Sequence, residues 1–357
     1  MSFATPTYNF DTLPDRKNSE SAKWGFYGPD VLPMWVADMD FLSPPQVVEA
    51  LIARAQHGVY GYPQEPAGLR SAVTGWLARR FQWQVTPDEL VFVPGVVKGF
   101  HLALRGLLTA DQGVLVQTPV YPPILKAAAD TGRVAQAMEL SLLPDGAYAV
   151  DWERFEAAFT PQTGAFILCH PHNPIGKVFS ADELGRMAEV CLRRGVLMIS
   201  DEIHADLVFS ESRHIPLATL APEIAQQTIT FIAPSKTFNL AGLQCSVAVI
   251  LNPELRRRYL HAVRLYHEWV NLFGQIAAEA AYRTGAEWLD ALLDFLEATR
   301  DFTKDFVERE LPGVTMAAPQ GTYLAWLDCR QARLPENAHK FFLEKAHVAV
   351  NDGADFG

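Results

Sequence analysis

The chain has 357 residues, 49% of them hydrophobic and 20% charged. That is an ordinary globular balance, and the length is enough for two domains, because a single core rarely grows beyond about 250–300 residues. Its net charge of −11, from 30 Lys and Arg against 41 Asp and Glu, argues against a nucleic-acid surface, which needs clustered basic residues.

No basic region leads into an apolar stretch at the N-terminus, and no window approaches the roughly 18 apolar residues of a membrane span. A soluble cytoplasmic protein is the expectation. The cysteines (Cys169, Cys191, Cys245, Cys329) are scattered beside apolar runs. They match neither a disulfide framework nor a zinc spacing, which predicts buried free thiols.

Residues 1–45 are rich in Pro, Asp and aromatics, with little periodicity. They read as an arm that wraps another surface and as the start of a small domain. Helical periodicity begins at about Pro45 and predicts helices over Gln46–His57 and Gly68–Phe81. An apolar strand over Leu90–Val93 and a helix over Val96–Leu108, opened by Gly95, follow. Apolar runs then alternate with helical stretches: Gly113–Gln117, Val134–Glu139, Gly164–Cys169, Val196–Ser200, Thr228–Ala233 and Ser246–Leu251, with helices at 122–131, 151–159 and 180–194. Such alternation means a mainly parallel sheet sandwiched by helices, an α/β fold. The short loop before the last strand predicts one antiparallel member.

After Pro253 long helices run to about Glu310. Two strands, Val314–Ala317 and Tyr323–Leu327, and a helix over Glu336–Ala346 are expected to complete a smaller α+β unit. The predicted domains are therefore 46–285 (large) and 286–357 (small, C-terminal).

Candidate functional residues sit at the carboxyl ends of the predicted strands, where open α/β sheets bind ligands. The Gly95 turn opens a helix, and the Val96 and Val97 amides there can cradle a phosphate. Tyr121 can stack on a flat ligand or pack beside its prolines. Asn173, in Asn-Pro-x-Gly, can aim its amide into a cleft. His170 and His172 lack companion ligands at metal spacing, so no metal is expected. Asp201 ends a buried strand and needs a cation or donors there, with a helix N-cap as the competing reading. Lys236 follows the next strand in Pro-Ser-Lys, and partial desolvation there lowers an amine's pKa enough for Schiff-base chemistry.

Jointly these residues supply what a pyridine-type electron-sink cofactor needs: a carboxylate at the ring nitrogen, a donor to the phenolic oxygen, a lysine at the aldehyde, a phosphate cradle and a stacking face. Asn173 precedes Asp201 by 28 residues and Lys236 follows by 35. That order resembles the fold type I pyridoxal-phosphate enzymes of the class I/II aminotransferase group. It is most similar to the carbon–sulfur β-lyases of the MalY/PatB type. The segments that carry the likeness are Leu32-Pro-Met-Trp-Val-Ala-Asp-Met-Asp-Phe41, His57-Gly-Val-Tyr-Gly-Tyr62, Ser200-Asp-Glu-Ile-His204, Ser235-Lys-Thr-Phe-Asn239 and Gln320-Gly-Thr-Tyr-Leu-Ala-Trp326.

The resemblance implies that Lys236 holds pyridoxal 5'-phosphate and that Asp201 pairs with its ring nitrogen. Asn173 and His204 approach its phenolic oxygen, and Tyr121 stacks. Val96, Val97 and Ser235 hold the phosphate, with Tyr62 reaching it from the second subunit of a homodimer. Trp35 and Asn173 line the pocket for an amino-acid substrate, and Tyr62 or Tyr121 protonates the leaving thiolate. Gln244 stands where many aminotransferases carry a phosphate-binding arginine, which favours the lyase over transamination; a cofactor-binding regulatory protein is a third reading. The family continues past residue 357 with a carboxylate-gripping arginine, so the C-terminal unit is expected to be truncated.

Overall fold

The seven apolar runs become seven strands of one sheet in the computed structural model, which describes residues 8–357. They are β1 (Leu90–Val93), β2 (Gly113–Thr118), β3 (Val134–Glu139), β4 (Thr163–Cys169), β5 (Leu197–Asp201), β6 (Thr228–Ile232) and β7 (Ser246–Val249). Their spatial order is β1-β7-β6-β5-β4-β2-β3. All neighbours are parallel except β7, which runs antiparallel to both β1 and β6. Because β1 and β6 both oppose β7, they point the same way. The carboxyl ends of β1, β2, β4, β5 and β6 therefore open on one edge.

Seven longer helices flank the sheet: α1 (Pro45–Gln56), α2 (Leu69–Phe81), α3 (Val96–Leu107), α4 (Ala181–Arg194), α5 (Pro253–Leu265), α6 (Leu272–Thr284) and α7 (Ala286–Glu310). Period-two alternation along β4 shows why two layers are needed. Ala165, Ile167 and Cys169 pack with Phe100 of α3 and Leu255 of α5. Phe166 and Leu168 pack instead with Leu184 and Met187 of α4. At the β1–β7 side, Leu90, Val247 and Val249 meet Leu69, Trp76, Ala277 and Leu289 from α2, α6 and α7. Sequence-encoded caps fix the helix ends. Ser180 and Glu183 form a capping box at the start of α4, and Gly195 closes it in the left-handed conformation, φ 65°.

Gly99 lets α3 approach the sheet, since a Cβ there would lie 2.5 Å from the Phe231 ring of β6. The close approach brings the α3 N-terminus to the strand-end edge.

The C-terminal part differs from the expectation. Among the described residues, 314–317 and 323–327 form no strands; only an isolated bridge joins Thr315 and Asp328. Each run is short and meets no partner strand, so neither becomes part of a sheet. The helix over Glu336–Ala346 is instead α-helical at Ala338–Phe341 and π-helical at Phe342–Ala346. The helix at 122–131 divides into Pro122–Leu125 and Ala127–Asp130.

The arm folds onto its own chain. Phe10 is buried against Phe41, Trp288 and Phe295 at centroid separations of 5.2, 5.7 and 5.6 Å, while the first seven residues lie outside the described ones. Cys169, Cys191 and Cys245 are buried free thiols; Cys329, expected buried, is partly exposed. No helix among the described residues is long and apolar enough to cross a membrane.

Gly99→Val is expected to lower stability by about 1–3 kcal/mol through overpacking against Phe231 and to shift the urea unfolding midpoint downward. An unchanged midpoint would refute the close-approach argument.

Candidate active site

β6 ends at Ile232 and leads through extended Ala233 into a four-residue helix, Pro234–Thr237, whose third residue is Lys236. The lysine expected in a turn is thus on a short helix, fixed from below. Thr237 Oγ1 donates to Asp206 Oδ2 at 3.1 Å, and Trp76 Nε1 donates to Asp206 Oδ1 at 3.1 Å. The Lys236 amine donates to the Ala37 carbonyl at 2.5 Å, and the Tyr323 hydroxyl donates to the same oxygen at 3.0 Å. Burial lowers the Lys236 pKa, opposed by the negative charges of Asp38 and Asp201.

Asp201 closes β5, in register with Cys169 of β4 and Phe231 of β6. It is only 5% exposed. A single hydrogen bond reaches its carboxylate, from the Ile203 amide to Oδ1 at 3.1 Å. No Lys, Arg or His among the described residues forms an ion pair with it, and no helix follows it to be capped. The N-cap reading is therefore overturned. Burial raises its pKa to about 7, with the nearby Glu202 adding to the rise and the Ile203 amide and Lys236 opposing it.

Glu202, the next residue, is fully furnished. Its carboxylate accepts from Ser200 Oγ at 2.8 Å and the Leu217 amide at 3.1 Å, and it meets His214 Nε2 at 2.8 Å. His170 stacks on His214 at 4.4 Å, and His172 Nε2 bonds to the Pro119 carbonyl at 2.8 Å. Both histidines of the His-Pro-His run are thus engaged in packing and main-chain contacts.

Asn173 and Tyr121 meet through the backbone, the Tyr121 amide donating to the Asn173 carbonyl at 3.0 Å. The Asn173 side-chain amide, in a residue only 8% exposed, makes no hydrogen bond to another described residue. Tyr121 is 36% exposed, and its hydroxyl pKa is raised by burial and by the charge of Asp201. His204 is buried with Nδ1 unpartnered, its pKa lowered to about 3 by burial and by Lys236. Lys236, Asp201, His204, Tyr121 and Asn173 thus converge.

The Gly95 loop opens on the same edge, with Gly95 at φ 118° and Val96 and Val97 as the first two residues of α3. A Cβ at Gly95 would meet open space, so the dihedral is what requires glycine there. The first amides of α3 have no intrahelical partner. Ser235 precedes Lys236 and is partly exposed.

Trp35 lies two residues before Ala37 and packs with Phe26 and Tyr27 at 4.9 and 6.0 Å. Tyr62 is not brought to the cluster within this chain. It is 96% exposed, in a pocket of about 390 Å³ with Tyr60, Trp269 and Phe273. A cavity of about 570 Å³ beside Trp326 and Tyr148 contains none of the candidate residues.

Four contributors lacked a usable signal in the sequence: the Ala37 carbonyl, Tyr323, Asp38 and the Asp206–Thr237 tie. Ala37, Asp38, Thr237 and Tyr323 stand inside the segments that carry the resemblance, yet their contacts span up to 286 positions.

The family model of the class I and II aminotransferases matches residues 29–357. Cystathionine beta-lyase PatB of Bacillus subtilis (strain 168) is 38% identical over 98% of this chain and 92% of its own length. A cystathionine beta-lyase of Corynebacterium glutamicum is 35% identical over the same shares, 98% and 92%. Among solved structures, cystalysin from Treponema denticola, which contains pyridoxal 5'-phosphate, superposes with a TM-score of 0.94. It is 32% identical, covering 99% of this chain and 92% of that one.

The donor set fits that cofactor. A buried carboxylate without a cation suits a protonated ring nitrogen, and the unengaged Asn173 amide suits an anionic oxygen. Asp201→Asn should therefore have opposite effects with and without cofactor. A carboxyl whose pKa is raised on folding destabilises the cofactor-free protein at pH 8, and the penalty fades as pH falls from about 7 toward the unfolded value near 4. The variant is expected to stabilise the cofactor-free protein at pH 8 by on the order of 2 kcal/mol. The gain should disappear near pH 4 while cofactor affinity falls. Thermal melts across pH, with and without cofactor, check both signs.

Proposed function

This chain belongs to the class I and II aminotransferase family, and we propose that it is a pyridoxal-phosphate-dependent carbon–sulfur β-lyase of the cystathionine β-lyase type. The observation that carries the reading is the pairing of a buried, cation-less Asp201 with a desolvated Lys236 at adjacent strand ends. The curated relatives named above favour lyase over transaminase chemistry.

Bound at Lys236, pyridoxal phosphate supplies an electron sink for the charge that develops on the substrate α-carbon. Lys236 Nζ is the group that would hold the cofactor's aldehyde, and as a free amine it would take the substrate's α-proton. Burial favours the neutral form of that amine, which is the form able to accept a proton. Asp201 holds a proton at the ring nitrogen, and its carboxylate has no competing cation in the chain. Asn173 and His204 orient the phenolic oxygen, with His204 kept neutral by its burial. Tyr121 offers its half-open ring for stacking, and Val96, Val97 and Ser235 bind the phosphate.

The net reaction breaks the Cβ–S bond of a cysteine-derived amino acid and consumes one water. It yields a thiol, pyruvate and ammonia. A thiolate leaves readily near neutrality because thiol pKa values lie at about 8.5. Tyr62 and Tyr121 are the candidates for protonating it, with Trp35 and Asn173 lining the substrate pocket.

The protein works as a homodimer in this reading, the partner subunit's Tyr62 completing the phosphate site. The exposed Tyr60, Tyr62 and Trp269 support that assembly. Residues 46–285 form the cofactor-binding domain, while the described part of 1–45 joins 286–357. The parallel pairing of Leu32–Pro33 with Val348–Ala349 supports this division. The free thiols support a cytoplasmic location.

With cystathionine as substrate, stoichiometric pyruvate without any added keto acid is expected. A strict requirement for a keto acid would turn the assignment to transamination, and cofactor binding without turnover would turn it to a regulatory protein. Lys236→Ala is expected to abolish the visible cofactor band at about 420 nm and to slow pyruvate release by at least ~100-fold.

A further inference from the structure

Asn239 lies three residues after Lys236, with φ at 58°. Asn is among the few residues other than glycine that visit this left-handed region at little cost. Its side chain makes three bonds to one remote segment. Oδ1 accepts from the Met39 amide at 3.1 Å, and Nδ2 donates to the Met39 and Phe41 carbonyls at 2.9 and 2.8 Å. Its own carbonyl accepts from Ser43 Oγ at 3.2 Å. Both main-chain polar groups of Met39 are thereby satisfied by one side chain, as a neighbouring strand would satisfy them.

The segment so clasped is the one that presents the Ala37 carbonyl to Lys236. From the other side Arg16 binds Asp38 Oδ1 at 3.0 Å and Asp40 Oδ1 at 2.6 Å, and Lys23 binds Asp40 Oδ2 at 2.7 Å. The outer ion pairs tie the segment to residues 16–24. The Asn239 side chain and the Ser43 hydroxyl tie it to the lysine loop, and Lys236 itself completes that contact at Ala37.

We infer that Asn239 is a positioning residue for Lys236, locking segment 37–43 to the lysine loop so that the Ala37 carbonyl stays in register with the amine. The inference rests on the reading of Lys236 given above. When the amine is free of the aldehyde, that carbonyl is the acceptor that keeps it aimed into the site. Without the clasp, the acceptor and the amine move independently, and capture of the cofactor slows.

Asn239→Gly tests this, because glycine keeps the positive φ and removes all three side-chain bonds. Hydrogen exchange at the Met39 amide is measured in the full chain, cofactor-loaded and cofactor-free, together with the rate at which cofactor-free protein mixed with pyridoxal 5'-phosphate develops the band at about 420 nm. Met39 exchange is expected to accelerate by about tenfold or more, and capture to slow several-fold. Asn239→Asp keeps the acceptor for the Met39 amide and is expected to restore part of the protection. Val47→Ala, a core truncation in α1, serves as a control for general destabilisation. Unchanged Met39 exchange in Asn239→Gly, or the same changes in Val47→Ala, would overturn the inference. A band that survives Lys236→Ala while Asn239→Gly still exposes Met39 would instead sink the reading of Lys236 and leave the clasp standing.

Discussion

An unpaired carboxylate buried at the carboxyl end of β5 is the constraint from which the rest of the site follows. A charge taken out of water and given one backbone donor is costly, and Asp201 has only the Ile203 amide. Glu202 adds to that cost through its charge, although burial raises its own pKa and so favours the uncharged form. One feature limits the cost. Lys236 supplies positive potential from the adjacent strand end without contact. What remains is a demand for a cationic partner, the place that the proposed function gives to a protonated ring nitrogen.

The sheet makes that demand addressable. A chain that ran parallel throughout would bring β7 to the same edge as a further strand end. Instead β7 reverses, so that the lysine loop returns directly beneath the edge and β1 delivers the Gly95 turn and the α3 N-terminus there. Gly99 allows α3 to sit close enough for those amides to belong to the same cleft. Topology, one glycine conformation and one close packing contact thus convert separate loops into one concave surface.

Local and long-range information differ in how they were written into the sequence. Strand ends were legible because each is a β-branched or apolar run stopped by Pro, Gly or a charged residue, and Asp201, Asn173 and Lys236 stand at such stops. The Ala37 carbonyl was not legible, since a backbone acceptor has no residue type and its donors lie 199 and 286 positions away. Tyr323 and Asn239 lay inside recognisable segments, yet nothing local says what a tyrosine hydroxyl or an amide will meet across the fold. The false strands at 314–317 and 323–327 fail for the converse reason. A short run is a local property, but only a partner strand satisfies its backbone. Tyr62 points outward from this chain, so the role proposed for it requires a second subunit.

Asp201, Glu202 and Asp206 show how partners distinguish a site from its scaffold. All three are buried, within six residues of one another, and burial raises the pKa of each. Burial and shifted titration therefore cannot tell them apart. Their partners can. Glu202 is saturated by Ser200, His214 and Leu217; Asp206 by Trp76 and Thr237, with Arg80 at 3.7 Å. Asp206 anchors the lysine helix, and Glu202 ties β5 to the loop at 214–217. Of the three, only Asp201 leaves a carboxylate oxygen, Oδ2, without a hydrogen bond among the described residues. Shifted titration marks all three carboxylates, whereas a carboxylate oxygen left without a donor marks Asp201 alone.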